Sequence, residues 1–131
     1  DIHVRSRRQR QMCIRDRYLA HHPDPTRARV SQGLVVIPTD RATPEQVRKY
    51  EAYAESRLAR TRTPQGPRGM LFSPDYVGPS DQLAERLYAH TGFQRAGEVA
   101  FALPFSFDES DYIQIVTDIA ERLGPALGWP R

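Results

Sequence analysis

Histidines and carboxylates are the residue types in this chain that could bind a metal ion or transfer a proton. His21 and His22 lie beside Asp24, a grouping that could ligate a metal. No third ligand follows at a suitable spacing, so a solvent-exposed turn is the preferred interpretation. His90 lies near the end of a predicted helix, where a cation suits the negative end of the helix dipole. The sequence therefore predicts no metal site and no catalytic histidine.

Three carboxylates lie close together further along the chain, at Asp108, Glu109 and Asp111. Paired carboxylates can act as general acid and general base. These three precede a periodic apolar segment, however, where acidic residues cap a helix and favour its positive end. Capping is the preferred interpretation, and the sequence predicts no catalytic residue.

The basic residues are concentrated at the start of the chain. Its 131 residues include 19 Lys and Arg and 16 Asp and Glu, a formal net charge of +3. Residues 1–17 carry six Arg against Asp1 and Asp16, a net +4, so residues 18–131 come to −1, since 3 − 4 = −1. The remainder of the chain has no electrostatic reason to bind nucleic acid.

The segment "RSRRQRQMCIRDR", residues 5–17, has two interpretations. Such a run cannot bury enough apolar surface to fold, so it could be a disordered basic arm of a small nucleic-acid-binding protein. "RQMCIRDR" also resembles the translated sequencing-adapter read-through that recurs at the ends of open reading frames from metagenomic assemblies. On this second, preferred interpretation residues 1–17 are not native, and the native sequence begins near Tyr18.

Composition also bears on the cellular compartment. A single cysteine excludes an internal disulfide framework, which favours a reducing compartment. No apolar run approaches the roughly 18 to 20 residues that span a bilayer. The first residues lack the apolar core of a secretion signal. We therefore expect a cytoplasmic protein that does not enter membranes.

Two segments predict buried β-strands. Residues 29–38, "RVSQGLVVIP", contain three consecutive β-branched side chains, and residues 98–105, "EVAFALPF", are almost continuously apolar. Such runs are typical of parallel strands covered on both faces. Because strands this apolar need neighbours on both edges, two of them predict only part of a larger α/β domain.

Three helices are predicted from caps and apolar periodicity. The first begins with Thr43 as N-cap, Pro44 in the first turn and Gln46 closing a capping box. The second begins at its N-cap Ser80 and stops at Gly92. The third is capped by Asp108 and closed by Gly124-Pro125. Its predicted buried stripe consists of Tyr112, Ile115, Val116, Ile119 and Leu123.

Two short segments resemble N-acetyltransferases. "LYAHTGF", residues 87–93, is similar to a helix-to-strand segment of that family, and "VIPTDR" resembles the strand before its cofactor loop. In the family, a glycine-rich turn after the arginine holds the pyrophosphate of acetyl-CoA through backbone N–H groups. Here Arg41 is followed by "ATPEQ", which has no glycine and a proline without an N–H. An acetyltransferase with a degenerate cofactor loop is therefore an alternative hypothesis.

A resemblance to another family covers residues 25–129. Three segments, in this order, resemble the C-terminal part of the bacterial-luciferase-like flavin-dependent monooxygenases: "RVSQGLVVIPTDRATPEQVRKYEAY", "YVGPSDQLAERL" and "EVAFALPFSFDESDYIQIVTDIAERLGPALGW". Family members typically have a strand leading into a Lys-Tyr-bearing helix, then "VG(S/T)P-x-Q-(V/L)-A-E-R-L", then a last strand and helix. This chain follows the middle pattern with Pro79 and Ser80 interchanged.

The resemblance implies a (β/α)₈ barrel, to which residues 18–131 contribute the last two βα units, strands seven and eight. Barrel enzymes carry their chemistry at the C-terminal ends of the strands. Pro38 and Thr39 after the first strand, and Pro104, Phe105 and Ser106 after the second, are then site candidates. A packing role for Phe105 and a turn role for Ser106 are the preferred interpretations.

The resemblance also implies a cofactor and a substrate class. The parent enzyme would use reduced flavin, either FMN or the deazaflavin coenzyme, to act on a small organic substrate. The loop "RTRTPQGPRGM" occupies the place of a mobile segment that closes over flavin and substrate. Arg62 and Arg68 in it could meet a phosphate or sulfonate group, although a solvated loop is the preferred interpretation.

The family residues that hold most of the flavin precede this segment. We therefore expect the chain alone to be inactive, to bind no flavin tightly and to self-associate through exposed barrel edges.

Overall fold

The computed structural model describes residues 16–130, except for the side chains of residues 91 and 95. The prediction that residues 1–17 are a non-native, disordered segment therefore lies almost entirely outside the described residues. Residues 16–21 are helical. The strands of the described residues are β1 (Ser31–Pro38), β2 (Tyr76–Gly78) and β3 (Glu98–Ala102). The main helices are α1 (Pro44–Ser56), α2 (Ala59–Arg62), α3 (Ser80–Tyr88), α4 (Thr91–Arg95) and α5 (Glu109–Asp118).

The three strands form one parallel sheet in the order β2-β1-β3. β2 pairs with Val36–Pro38 of β1, whereas β3 pairs with Ser31–Val35. The predicted α/β class with parallel strands is confirmed. In a (β/α)₈ barrel, strands that follow one another along the chain are neighbours. Here β2 and β3 are not neighbours, because β1 lies between them. The barrel itself therefore stays a prediction.

Side chains of β1 pack on both faces of the sheet because neighbouring strand residues point in opposite directions. Leu34 and Val36 contact one apolar cluster, which also contains Leu83 and Leu87 of α3. Ile37 belongs to a second cluster with Tyr50 of α1 and Ile115 of α5. The central strand is thus covered by α3 on one side and by α1 and α5 on the other.

The strand predictions need two corrections. A third strand, β2, was not predicted from the sequence, and it forms because Val77 of "YVG" pairs with Ile37 of β1. The strand at residues 98–105 ends at Ala102 and is not fully buried: Ala100 and Ala102 are exposed. Their outward face has no covering helix in the described part of the chain.

The helix starts follow local sequence signals closely. The capping box of Thr43 and Gln46 at α1 is confirmed. Asp108 is confirmed as the N-cap of α5, and its backbone N–H donates to the carboxylate of Asp111 (3.1 Å). The start of α3 differs from expectation: Pro79 is its N-cap, and Ser80 is the first helical residue.

The helix ends follow the sequence signals less well. α3 stops at Tyr88, before Gly92, which lies inside the short helix α4. Beyond α5 the helical path continues through a wide π turn, Ile119–Leu123, into Gly124–Ala126. Gly124-Pro125 therefore does not close the helix, since the widened turn accommodates a residue without an N–H.

The buried stripe of α5 is narrower than predicted. Ile115 and Leu123 are fully buried, whereas half of Val116 is exposed. Val116 lies beside Ile113, which is also largely exposed. No helix in the part of the chain that the structure describes combines the length and apolar character needed to cross a membrane.

Candidate functional site at the carboxyl edge of the sheet

The loops that follow the three strands meet at one edge of the sheet, here called the carboxyl edge. Ligands of open parallel sheets bind outside this edge because loops from different strands converge there. Thr39 after β1 donates its backbone N–H to Gly78 O at the end of β2 (3.0 Å). Pro38 is buried, and its carbonyl accepts from Gln114 of α5 (3.0 Å). Hydrogen bonds within the chain therefore connect the ends of β1 and β2 and the helix α5 at this edge.

The loop after β3 holds three of the predicted site residues in a fixed position. Tyr112 Oη donates to the carbonyl of Pro104 (2.8 Å) and accepts the N–H of Phe107 (3.2 Å). Tyr53 Oη accepts the N–H of Phe105 (3.3 Å). The loop is therefore held on both sides by tyrosine hydroxyl groups.

Phe105 and Ser106 lie at the tip of this loop. Phe105 is 72% exposed, so it does not pack in the core that the described residues form. Ser106 has φ of 63°, the left-handed region that a side chain makes unfavourable. Pro104 is fully buried. The loop therefore exposes the aromatic ring of Phe105 to solvent, next to the strained backbone of Ser106.

Asp40 connects the loop after β1 with the start of α3. Its carboxylate accepts the N–H of Ser80 (3.2 Å) and the hydroxyl of Ser80 (2.5 Å). The negative carboxylate stabilises the positive end of α3, where a helix N-terminus would otherwise attract an anionic ligand. The N-terminus of α3 therefore already binds the carboxylate of Asp40.

Arg41 joins the same loop to the end of α5. Its backbone N–H donates to Asp118 Oδ2 (2.8 Å), and its guanidinium lies 2.5 Å from Glu121. The hydrogen bond to Glu121 raises the pKa of Arg41, against the opposing effect of desolvation. Asp118 is fully buried, and its Oδ1 has no hydrogen-bond partner among the described residues, although Arg41 Nε is 3.8 Å away.

A second buried carboxylate, Asp111, joins α1 to α5. Burial by itself would raise the pKa of Asp111, but hydrogen bonds from Lys49, Gln46 and the backbone N–H of Asp108 together lower it. Hydrogen bonds to the carboxylates of Asp111 and Asp108 raise the pKa of Lys49. Tyr50 donates to Gln114 (2.7 Å), and burial, followed by the nearby charge of Asp111, raises the pKa of its hydroxyl.

The N-terminus of α1 bears on the acetyltransferase alternative. The Thr43 hydroxyl accepts the N–H of Gln46 (3.1 Å), and Gln46 accepts the N–H of Thr43 (2.9 Å). Two backbone N–H groups of this turn are therefore already bound. The geometry does not favour a pyrophosphate site after Arg41.

Arg62 and Arg68 are exposed. Asp75, just before β2, pairs with Arg57 at the end of α1 (2.6 Å), and both line a small cavity together with residues 32–35 of β1 and Ala102 at the end of β3. That these arginines meet an anionic group beside Pro104, Phe105 and Ser106 stays a prediction.

The histidines considered as metal ligands have local roles. His22 Nδ1 accepts the N–H of Asp24 (3.0 Å), and His21 contacts the carbonyl of Arg17 (2.8 Å). His90 is buried and its Nδ1 accepts the N–H of Phe93 as the N-cap of α4. Residues 16–130 contain no group of three or more His, Cys, Asp or Glu side chains placed to hold a metal.

Sequence reasoning missed Gln114 and Asp118, which organise this edge, and assigned Asp111 only a capping role. Asp111, Gln114 and Asp118 follow one another at spacings of three and four, so they form a polar stripe on one face of α5. That spacing was the available signal. The pairing of Asp118 with Arg41 joins residues 77 positions apart and has no counterpart in local sequence.

Comparison with known proteins identifies no family for the chain. No family model, curated protein or solved structure matches it. What can be inferred about its function therefore depends on its own residues and geometry.

Proposed function

We propose that this chain is part of a luciferase-like flavin-dependent oxidoreductase and supplies βα units at the end of its barrel. The observation that carries the proposal is the direct parallel pairing of β1 with β3. These strands correspond to the segments assigned to strands seven and eight, which are neighbours in such a barrel. Each leads into a capped helix, α1 and α5.

The uncovered surface of the structure supports the same proposal. In the described residues β3 has a strand on one side only. Apolar side chains that follow it or lie on α5 are exposed, and they comprise Leu103, Phe105, Ile113 and Val116. A further strand and helix of a larger barrel would cover such a surface, since buried strands need partners on both edges.

The residues present do not form a flavin site by themselves. The start of α3, which could meet a phosphate group, is bound by Asp40. Phe105 could form an apolar wall against a substrate or a flavin ring, but no charged group beside it is free in the described contacts to hold a phosphate. The chain would therefore contribute part of a substrate wall, and residues outside it would hold FMN or the deazaflavin coenzyme.

This proposal is tested on the source DNA and then on the protein. The locus is read upstream of the codons for residues 1–30. We expect the frame to continue into further βα units, toward the roughly 250 residues of a complete barrel. The longer protein should bind FMN or the deazaflavin coenzyme, whereas the present chain should bind neither in the same titration. A genuine start codon before the arginine-rich segment, after an in-frame stop, would contradict the proposal.

A further inference from the structure

A small pocket of about 140 Å³ lies over the central strand β1, next to the end of α1. Ala102 pairs with Val35 on one side of β1, and Asp75 precedes β2, which pairs on the other side. Because residues from both sides of β1 line the pocket, it lies over a face of the sheet and not at a sheet edge. Its floor includes Gly33, Val35 and Ala102, and its wall includes Arg57, Phe72 and Asp75.

Gly33 leaves open space in the middle of the central strand. Gly33 and Val35 are two residues apart, so both point to the face on which Val35 packs with Tyr50 of α1. A Cβ atom at Gly33 would meet no atom within 4 Å. Glycine weakens the interior of a strand, and it often marks a place where a ligand approaches the backbone closely. The space over Gly33 is therefore part of the pocket.

Arg57 presents a fixed guanidinium group to this space. Its Nε donates to Asp75 Oδ2 (2.6 Å) and its Nη2 to Asp75 Oδ1 (3.5 Å). The group also lies over the ring of Tyr53, 5.0 Å from the ring centroid. The side chains of Arg57 and Asp75 are only 20% and 3% exposed, so water competes little with their contact. Asp75 occupies one edge of the planar guanidinium, and the Nη1 group has no hydrogen-bond partner among the described residues.

The charge around the pocket favours an anion. Arg57 and Asp75 together carry no net charge. Arg60 adds a positive charge beside the wall, because its guanidinium lies 3.9 Å from the ring centroid of Phe72. Within the described part of the chain Arg60 forms no ion pair. A carboxylate is the anion that matches a free guanidinium edge, since it accepts two parallel N–H bonds.

The size and the floor of the pocket restrict this carboxylate. A cavity of about 150 Å³ holds one benzene molecule, so the pocket has room for about six non-hydrogen atoms. Gly33, Val35 and Ala102 offer apolar contacts, which suit a short aliphatic chain on the carboxylate.

We propose that this pocket binds a small aliphatic monocarboxylate. The carboxylate accepts two hydrogen bonds from the free Nη edge of Arg57, and the aliphatic chain lies over Gly33 and against Ala102. The site uses no backbone group at a strand edge, so a further strand beside β3, as the proposed barrel requires, leaves its donors unchanged. The site goes beyond the proposed oxidoreductase function, which concerns the carboxyl edge of the sheet.

Butyrate and butyramide are the probes, because they have nearly the same shape and differ in charge. Saturation-transfer NMR on the present chain, without flavin, measures the binding of both. We expect saturable binding of butyrate and at least about tenfold weaker binding of butyramide, because the amide forms weaker hydrogen bonds with Arg57 than the charged carboxylate does. Equal binding of the two probes, or no saturable binding of butyrate, would overturn the proposal.

The variant Arg57→Lys tests the guanidinium group. Lysine keeps a positive charge for Asp75 but cannot offer a second planar edge, so butyrate binding should weaken at least about fivefold. Arg62→Lys makes the same change at an exposed arginine that is not part of the pocket lining, and it should leave butyrate binding unchanged. Butyrate binding by Arg57→Lys at the parent affinity would contradict the assigned role of Arg57.

The variant Gly33→Val tests the space itself. Valine suits a strand and its Cβ would meet no atom within 4 Å, so circular dichroism should show a retained fold. The side chain should fill the space over β1 and weaken butyrate binding at least about tenfold. Gly97→Val, outside the pocket lining, adds a Cβ with an ordinary contact of 3.7 Å to Val30 O and should leave binding unchanged. A folded Gly33→Val protein with the parent affinity for butyrate would also overturn the proposal.

Discussion

Arg41 and Asp118 are joined by a hydrogen bond of 2.8 Å from the backbone N–H of Arg41 to a carboxylate that is fully buried. The contact fixes the loop after β1 against the end of α5. Gln114 donates to the same oxygen of Asp118 (2.6 Å) and to the carbonyl of Pro38 (3.0 Å). One buried side chain therefore positions both the central strand and the last long helix.

We expect Asp118→Ala to lower the free energy of unfolding by about 3 to 5 kcal/mol, because the buried N–H of Arg41 and the amide of Gln114 lose their acceptor. Asp118→Asn keeps one acceptor oxygen, so its free energy of unfolding should fall by less than that of Asp118→Ala. Urea unfolding followed by circular dichroism measures both. Glu121→Gln, at an exposed partner of Arg41, should change the value by at most about 0.5 kcal/mol. A loss for Asp118→Ala no larger than this control would contradict the stabilising role.

Asp111 should make stability depend on pH in the acid range. Its folded-state pKa lies below the unfolded value of about 3.9. The ionised group therefore stabilises the fold above that pH, and this contribution is lost as pH falls through the folded pKa. Asp111→Asn should be less stable than the parent at neutral pH, and the difference should shrink toward pH 2 or so.

Urea unfolding at several pH values checks this dependence. Asp108→Asn is the matched control, because the Asp108 side chain is 81% exposed and asparagine also caps helices well. It should change the slope of stability against pH much less than Asp111→Asn. A parallel pH profile for the parent and Asp111→Asn would show that the folded-state pKa of Asp111 is not lowered.

Ser106→Gly should stabilise the protein by about 0.5 to 1 kcal/mol, because glycine adopts a φ of 63° without the strain that a side chain imposes. Thermal unfolding detects the change as a higher Tm. The same substitution at Ser110, exposed in the first turns of α5, should instead destabilise by about 0.5 to 1 kcal/mol. A lower Tm for Ser106→Gly would mean that the side chain of Ser106 makes a stabilising contact.

The exposed apolar side chains on α5 should cause self-association. We expect the chain to sediment as species larger than the monomer and to bind hydrophobic dyes, because Ile113 and Val116 are at least half exposed. The double variant Ile113→Gln and Val116→Gln should shift sedimentation toward the monomer and reduce dye binding. Glu109→Gln, on the same helix, should do neither. A monodisperse parent that binds no dye would argue against a missing covering layer.

Much of the fold follows from short-range patterns. The cap at Thr43 and Gln46 and the cap at Asp108 and Asp111 were predictable, because capping involves residues three positions apart. The burial of Val36 and Ile37 followed from consecutive β-branched residues. Three-residue β2 was not predictable in the same way, since it is a strand only through its pairing with β1, about 40 residues earlier.

The candidate site was also predictable only in part from the sequence. Sequence placed Pro104, Phe105 and Ser106 after a strand, and the structure keeps them together at the end of β3. It did not show that Phe105 would be exposed or that two tyrosines would hold its loop.

The sequence by itself indicated β1, β3, the helices α1, α3 and α5 and their α/β class, because each of these patterns depends on side chains within a few residues of one another. The tertiary structure alone decided that Asp118 is buried and that Val116 is exposed. Burial and strand pairing depend on contacts between distant segments, and their free energy is gained only when those segments pack together.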